Sequence, residues 1–266
     1  MRTPGQAFDL RAALWDELRA AMDELEASRG EPRAVHRCRV RVKRARALAR
    51  VGSAGAPGLA DVFNDTARGV MRTMAPARDL AALAETARTM SRKTKPRGGA
   101  ALDRVAESLE AVRVASPALN MEATRAGLKD LLALAMVWPE ASARQIKRGA
   151  ERVVRRARRA RRRGFKAKHA GPRHEWRKRE KDRFYAVLLL DDAWPCARRR
   201  KLGQRLGETL GEEHDVRLLL DRIEAAPSLA GEDKAPQRAV KALRRRCKRL
   251  ARRADRIGWR LHARGA

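Results

Sequence analysis

Aromatic side chains are scarce in these 266 residues: Phe, Trp and Tyr together make up 4%, with one Tyr and four Phe. Platforms that stack unpaired bases are built from such rings, so a single-strand nucleic-acid binder of that kind is poorly supplied. Cysteine is scarcer and odd in number, with Cys38, Cys196 and Cys247 far apart. Cys38 and Cys247 fall at apolar helix positions, which predicts small buried hydrophobes in a reducing compartment and no disulfide. No zinc-type Cys and His spacing occurs, and no metal or cofactor is expected. No apolar run approaches the ~20 residues of a membrane span. The longest, residues 131–138, stops at Pro139. The N-terminal MRTPGQAFDLRAALWDEL carries charge inside its apolar pattern, unlike a secretory signal, so a cytoplasmic protein is expected.

Acids are the other shortage. Only 32 Asp and Glu face 63 Lys and Arg, for a net charge of +31. Such a chain repels itself unless a polyanion or counterions neutralise it, which makes an anionic partner the leading expectation. At 44% apolar it can still bury a core, so it is no disordered basic tail.

Alternating β-branched runs are almost absent, while Ala, Leu, Arg and Glu recur with helical period between Gly and Pro breakers. The pattern predicts an all-α fold with helices near 6–28, 33–50, 59–90, 100–114, 118–137, 141–163, 173–192, 198–225 and 237–263. The last shows the clearest stripe, with Leu243, Cys247, Leu250, Ala254, Ile257 and Leu261 spaced for one face.

Internal repetition follows. His36, Arg39 and Lys43 superpose on His174, Arg177 and Lys181 at an offset of 138, and VMRTMAPARDLAAL at 70–83 resembles LGETLGEEHDVRLL at 206–219 at an offset of 136. A third pair sets 146–160 against 243–257, where Arg148, Arg152, Arg155 and Arg159 match Arg245, Arg249, Arg252 and Arg256. These matches predict a duplicated helical unit, with a first half over 1–163 and a second over 171–266.

On a helical wheel, His36, Arg39, Lys43, Arg46 and Arg50 fall within about 80° of one another, beside the arc of Val35, Cys38, Val42, Ala45 and Ala49. Arg37, Arg41 and Arg44 fall on the far side, where they are expected to meet solvent. Cations lining a cleft beside a core are less screened than those on an open face, so a polyanion gains more there. In the second copy Phe184 and Leu188 replace the cations at the positions of Arg46 and Arg50, which predicts an asymmetric cleft. Pro32 and Pro172 place each histidine near a helix start, where backbone amides favour phosphate oxygens. A histidine there can also cap or pack at the helix end; the duplicated pattern favours the ligand role. The segment 144–163 holds eleven Lys or Arg, stacked without matching acids. Asp79 and Asp215 occupy matching positions and are expected to form structural ion pairs with neighbouring helices.

VHRCRVRVKRARA and RHEWRKREKDRFYA, each followed by a helix bearing ARDLAAL or EHDVRLLL, resemble the paired signature of the CHAD domain, the conserved histidine α-helical domain. The resemblance spans nearly the whole chain, as one CHAD domain over 1–266. It implies a pseudo-symmetric pair of four-helix bundles around a basic central groove or pore that binds inorganic polyphosphate, often at polyphosphate granules. Carried over by position, it implies contacts from His36, Arg39, Lys43, Arg46, Arg50, His174, Arg177 and Lys181. It extends to Arg148, Arg152, Arg155, Arg245, Arg249 and Arg252. Many such domains are fused to a CYTH domain with an ExExK motif, which this sequence lacks, so a stand-alone, non-enzymatic binder is expected. Two alternatives remain open at this level. One is a nucleic-acid or nucleoid-associated protein; the other is an enzyme processing polyphosphate or triphosphate, for which Glu212, Glu213, His214 and Asp215 are the compact cluster.

Overall fold

The computed structural model describes residues 8–27, 31–115, 119–165, 167 and 169–263. The expected limits of the first helix at 6 and 28, the break at 116–117 and a helix start at 118 lie outside the described residues. Among the described residues the secondary structure is entirely helical. In chain order the helices are α1 (Leu10–Ala27), α2 (Pro32–Gly52), α3 (Pro57–Thr73), α4 (Pro76–Arg92) and α5 (Pro96–Val114). There follow α6 (Met121–Met136), α7 (Ala143–Gly164), α8 (Ala170–Leu190), α9 (Arg200–Ala225) and α10 (Ala235–His262), with short 3-10 turns at Asp191–Ala193 and Pro227–Ala230.

Local chemistry sets these starts. Proline opens α2, α3, α4 and α5, where its missing N–H costs nothing and its fixed φ suits the first turn. Asn120 caps α6, accepting from the Ala123 amide at 2.8 Å, and Ser142 with Gln145 forms a reciprocal capping box on α7. The single helix expected over 59–90 is two helices. Its apolar period runs on unbroken, but Pro76 has no N–H with which to continue the hydrogen-bond ladder, so α3 ends at Thr73 and α4 starts afresh.

Packing does not follow the order of the chain. The helices α1, α2, α3, α6 and α7 share one core with the last turns of α8, around Leu14, Leu48, Phe63, Leu128, Val153 and Val187. A second core joins α4 and α5 to α9 and the first half of α10, through Leu102, Leu219 and Leu243. A third gathers Ala160, Trp176, Leu206, Leu210 and Ile257 from the ends of α7 to α10. The α10 stripe read from the sequence is buried throughout. Cys38 and Cys247 pack in the first and second cores, and burial pushes the Cys38 thiol up to about 12, leaving it an inert apolar group.

The third internal match therefore joins helices in different places. The helix paired with α9 is α10, whereas the helix paired with α4 is α5; α7 packs on α8 and α2 instead. Gly149 lets α7 cross the end of α2 in backbone contact, since a methyl group there would overlap the Val51 carbonyl. No helix among the described residues is long and apolar enough to cross a membrane.

Candidate polyanion-binding site

The cation stripe of α2 divides by depth. Arg39 is only 7% exposed, and its Nη1 donates to the Met71 carbonyl at 2.8 Å in the last turn of α3. It braces a helix C-terminus, where unsatisfied carbonyls and the negative end of the dipole favour a guanidinium. His36 is exposed and Lys43 half-buried. Arg50 donates from Nη1 to Asp182 Oδ1 on α8 at 3.2 Å, and Arg179 donates to the other oxygen at 3.4 Å. Arg46 donates from Nε to Asn64 Oδ1 at 3.4 Å. Burial, then repulsion from Arg50, pushes the Arg46 guanidinium down to about 10, with Asp182 opposing and Arg68 and Arg179 adding to the repulsion. It stays charged at neutral pH, in a cluster where one carboxylate serves several cations.

On the far side of α2 Arg37 is exposed as expected, whereas Arg41 and Arg44 are half-buried, and all three meet acids of α1. Arg41 and Arg44 lie 3.4 and 2.8 Å from Glu17, and Arg37 lies 2.5 Å from Glu24, all across the interface with α1. Glu17 is 6% exposed, and a buried carboxylate needs such partners.

On α8, His174 meets His214, a residue the sequence places only in the acidic cluster of the enzyme alternative, and Arg177 and Lys181 act on that ring through their charge. His214 of α9 stacks against His174 with ring centroids 4.5 Å apart and Nδ1 atoms 3.4 Å apart. Burial, then the charges of Arg177, His174 and Lys181, pushes the His214 imidazole down to about 3. His174 is lowered by burial and by Lys178 and Arg177. Around the helix, the centre of this face is turned about 140° from that of Asp182 and Arg179, so α8 presents two cationic faces.

The inward face of α8 is itself charged, which no apolar period could reveal. Arg173 is buried and donates to both oxygens of Glu213, at 2.5 and 2.7 Å, to Asp255 at 2.9 Å and to the Gly164 carbonyl at 3.0 Å. It ties α7, α8, α9 and α10 together beside His174. Two turns on, buried Glu180 accepts from Trp176 Nε1 at 3.0 Å and Arg183 Nε at 3.1 Å, and meets His262 Nε2 at 2.5 Å. Burial alone would raise the Glu180 carboxyl; these partners hold it below the usual carboxylate range.

The remaining site residues scatter. Arg148 is exposed on α7, Arg155 lies 3.7 Å from Glu151, and Arg152 donates to the Ser53 carbonyl at 3.3 Å, bracing the end of α2. The α7 cation in the field of Arg50 is Arg156. Arg245, Arg249 and Arg252 are exposed on the outer face of α10. Asp79 is exposed in the first turn of α4. Asp215 forms no ion pair among the described residues, contrary to expectation. Its neighbours take that role, Glu212 with Arg246 and Lys93 and Glu213 with Arg173, because they face the cations of α10 and α8. Asp215 instead lines a cavity of about 550 Å³ between α4, α8 and α9. Lys181, Lys93 and Tyr185 share that cavity with Glu85, Glu208 and Glu212, so its lining is mixed in charge rather than uniformly basic.

An all-helical, cation-rich protein, with the two helices of its repeated His, Arg and Lys pattern, α2 and α8, packed on each other, is thereby defined among the described residues. A protein-family model described as the CHAD domain matches residues 12–224, and the chain belongs to the CHAD domain family. Its fold is similar to the crystal structure of the CHAD domain from the plant Ricinus communis, with a TM-score of 0.67 and 20% sequence identity, over 100% of this chain and 97% of that one. No curated protein matches the chain. The helix α10 lies beyond the family match but inside the structural one.

Proposed function

We propose that the chain binds inorganic polyphosphate without processing it, with His174, Arg177 and Lys181 of α8 and His214 of α9 at the centre of the site and Lys43 of α2, the match of Lys181 in the internal repeat, extending it. The observation that carries this reading is the field at His214. An imidazole held neutral down to about 3 by burial and by Arg177, His174 and Lys181 marks a half-buried excess of positive charge that an anion would relieve. The CHAD family, associated with polyphosphate binding in general, supports the ligand class. A linear phosphate chain carries roughly one charge per unit and no bases, which suits Lys and Arg with few aromatics by the counterion logic that governs DNA. Association with polyphosphate granules extends the same reading. Of the acids around the histidine pair, Glu213 is held by Arg173 and Glu175 by Lys178 and Arg179, which favours binding over metal-assisted hydrolysis.

Arg39 braces α3, so the informative perturbation is Lys43→Glu with Lys181→Glu. In a filter-binding titration with long-chain polyphosphate, this variant should lose on the order of tenfold in affinity or more, and its log–log salt slope should shrink by about two. Unchanged affinity in a variant of native helical content would move the site elsewhere. Displacement of bound polyphosphate by duplex DNA at equal phosphate concentration would favour the nucleic-acid reading.

A further inference from the structure

A cleft of about 650 Å³ opens between the α4–α5 turn and the outer face of α10. The turn contributes Lys93, Lys95 and Arg97; α10 contributes Arg238, Lys241, Arg245 and Arg249. No acid lines it. Lys93 lies 3.8 Å from Glu212, while the other six cations form no ion pair among the described residues. Elsewhere on α10 cations do find acids, as Arg244 does with Glu224 at 2.6 Å. The bare set is therefore local to the cleft.

The walls between the charges are built from Met90, Pro96 and Ala242. Gly98 lies in the tight turn beside Thr94, within ordinary contact distance of α10. A methyl group on it would lie 2.9 Å from Thr94 Cγ2 and 3.8 Å from the Arg238 carbonyl, so the turn rests close against the α10 backbone. The first turn of α5, at the positive end of its dipole, opens on the same space. With no aromatic ring to stack a base and no acid to accept from a sugar or an amine, the cleft can select only by density of negative charge.

We infer that this cleft is a second seat for a condensed phosphate, distinct from the site on α8. Its ligand class rests on the polyphosphate reading; its location rests on the cleft alone. The cleft meets the 550 Å³ cavity that holds Lys181 at shared residues, Met90 and Lys93. A long chain can engage both seats and gain from their linkage, whereas a short one fills either seat singly.

Calorimetric titration with tripolyphosphate and with long-chain polyphosphate tests this, using the full chain and the variant Arg97→Glu, Lys241→Glu, Arg245→Glu, whose sites are all exposed. The wild type should take two equivalents of tripolyphosphate and the variant one, with long-chain affinity reduced about tenfold or more. The Lys43→Glu, Lys181→Glu variant should retain the cleft equivalent. Wild-type stoichiometry and affinity in the cleft variant would overturn the second seat while leaving the α8 site standing. Failure of the wild type to bind either phosphate would overturn the ligand class of both. Loss of duplex DNA binding in the cleft variant with polyphosphate binding intact would overturn the inference and assign the cleft to nucleic acid.

Discussion

The neutral imidazole of His214 makes folding stability depend on pH in a direction that can be worked out. In the unfolded chain its pKa is near the ordinary 6.5; in the fold it is pushed down to about 3. Between those values the unfolded chain binds a proton that the folded chain does not, so stability is full above the ordinary value and falls as pH drops through the window. At about pH 4.5, two units below 6.5, the full effect would be about 2.7 kcal/mol. The ring is partly open to solvent, and screening reduces this to about 1 to 1.5 kcal/mol. Urea unfolding of the wild type and of His214→Asn at about pH 7 and about pH 4.5 isolates the contribution as the difference between their pH-dependent losses, with the variant losing less. Bound polyphosphate reverses the sense, because the anion stabilises the imidazolium, so affinity should rise as pH falls and binding should take up protons. Equal pH-dependent losses in the two proteins would refute the assignment of an imidazole held neutral by burial and neighbouring cations at His214.

Two further outcomes follow from the packing. Arg39→Gln should lower stability by about 1–3 kcal/mol in chemical denaturation, since the Met71 carbonyl loses its charged donor, and should change polyphosphate affinity less than Lys181→Glu does. Gly149→Ala should cost about 1–3 kcal/mol or more, seen as a lower melting temperature, because α7 must lift off the Val51 carbonyl; a neutral effect would contradict the close crossing.

Helical period marked nearly every element, and the α10 stripe was legible residue by residue because apolar side chains at alternating three and four spacing have one way to be buried together. The break at Pro76 was hidden because the apolar pattern continues across it, and only backbone chemistry distinguishes two helices from one. Depth was the larger gap. Arg39 and Lys43 share an arc on the wheel, but α3 ends over one and not the other, and no wheel records where a neighbouring helix stops. Arg41 and Arg44 had their partner in Glu17 of α1, a long-range pairing invisible to local pattern. The same holds for Arg173 and Glu180, charges buried by mutual pairing where hydropathy predicts surface. His214 was noticed for its acidic neighbours, although its place beside His174 depends on how α8 and α9 pack.

The sharing of one core by α4, α5, α9 and α10 has a consequence for synthesis on the ribosome. The α4–α5 hairpin emerges early, but the helices that cover its apolar face, through Leu219 and Leu243, are encoded more than a hundred residues later. At ~5–20 residues per second, that face waits on the order of ten seconds before its partners appear. The first half of the chain therefore holds an uncovered apolar face through much of its translation, of the kind that invites misassembly before the later helices close over it.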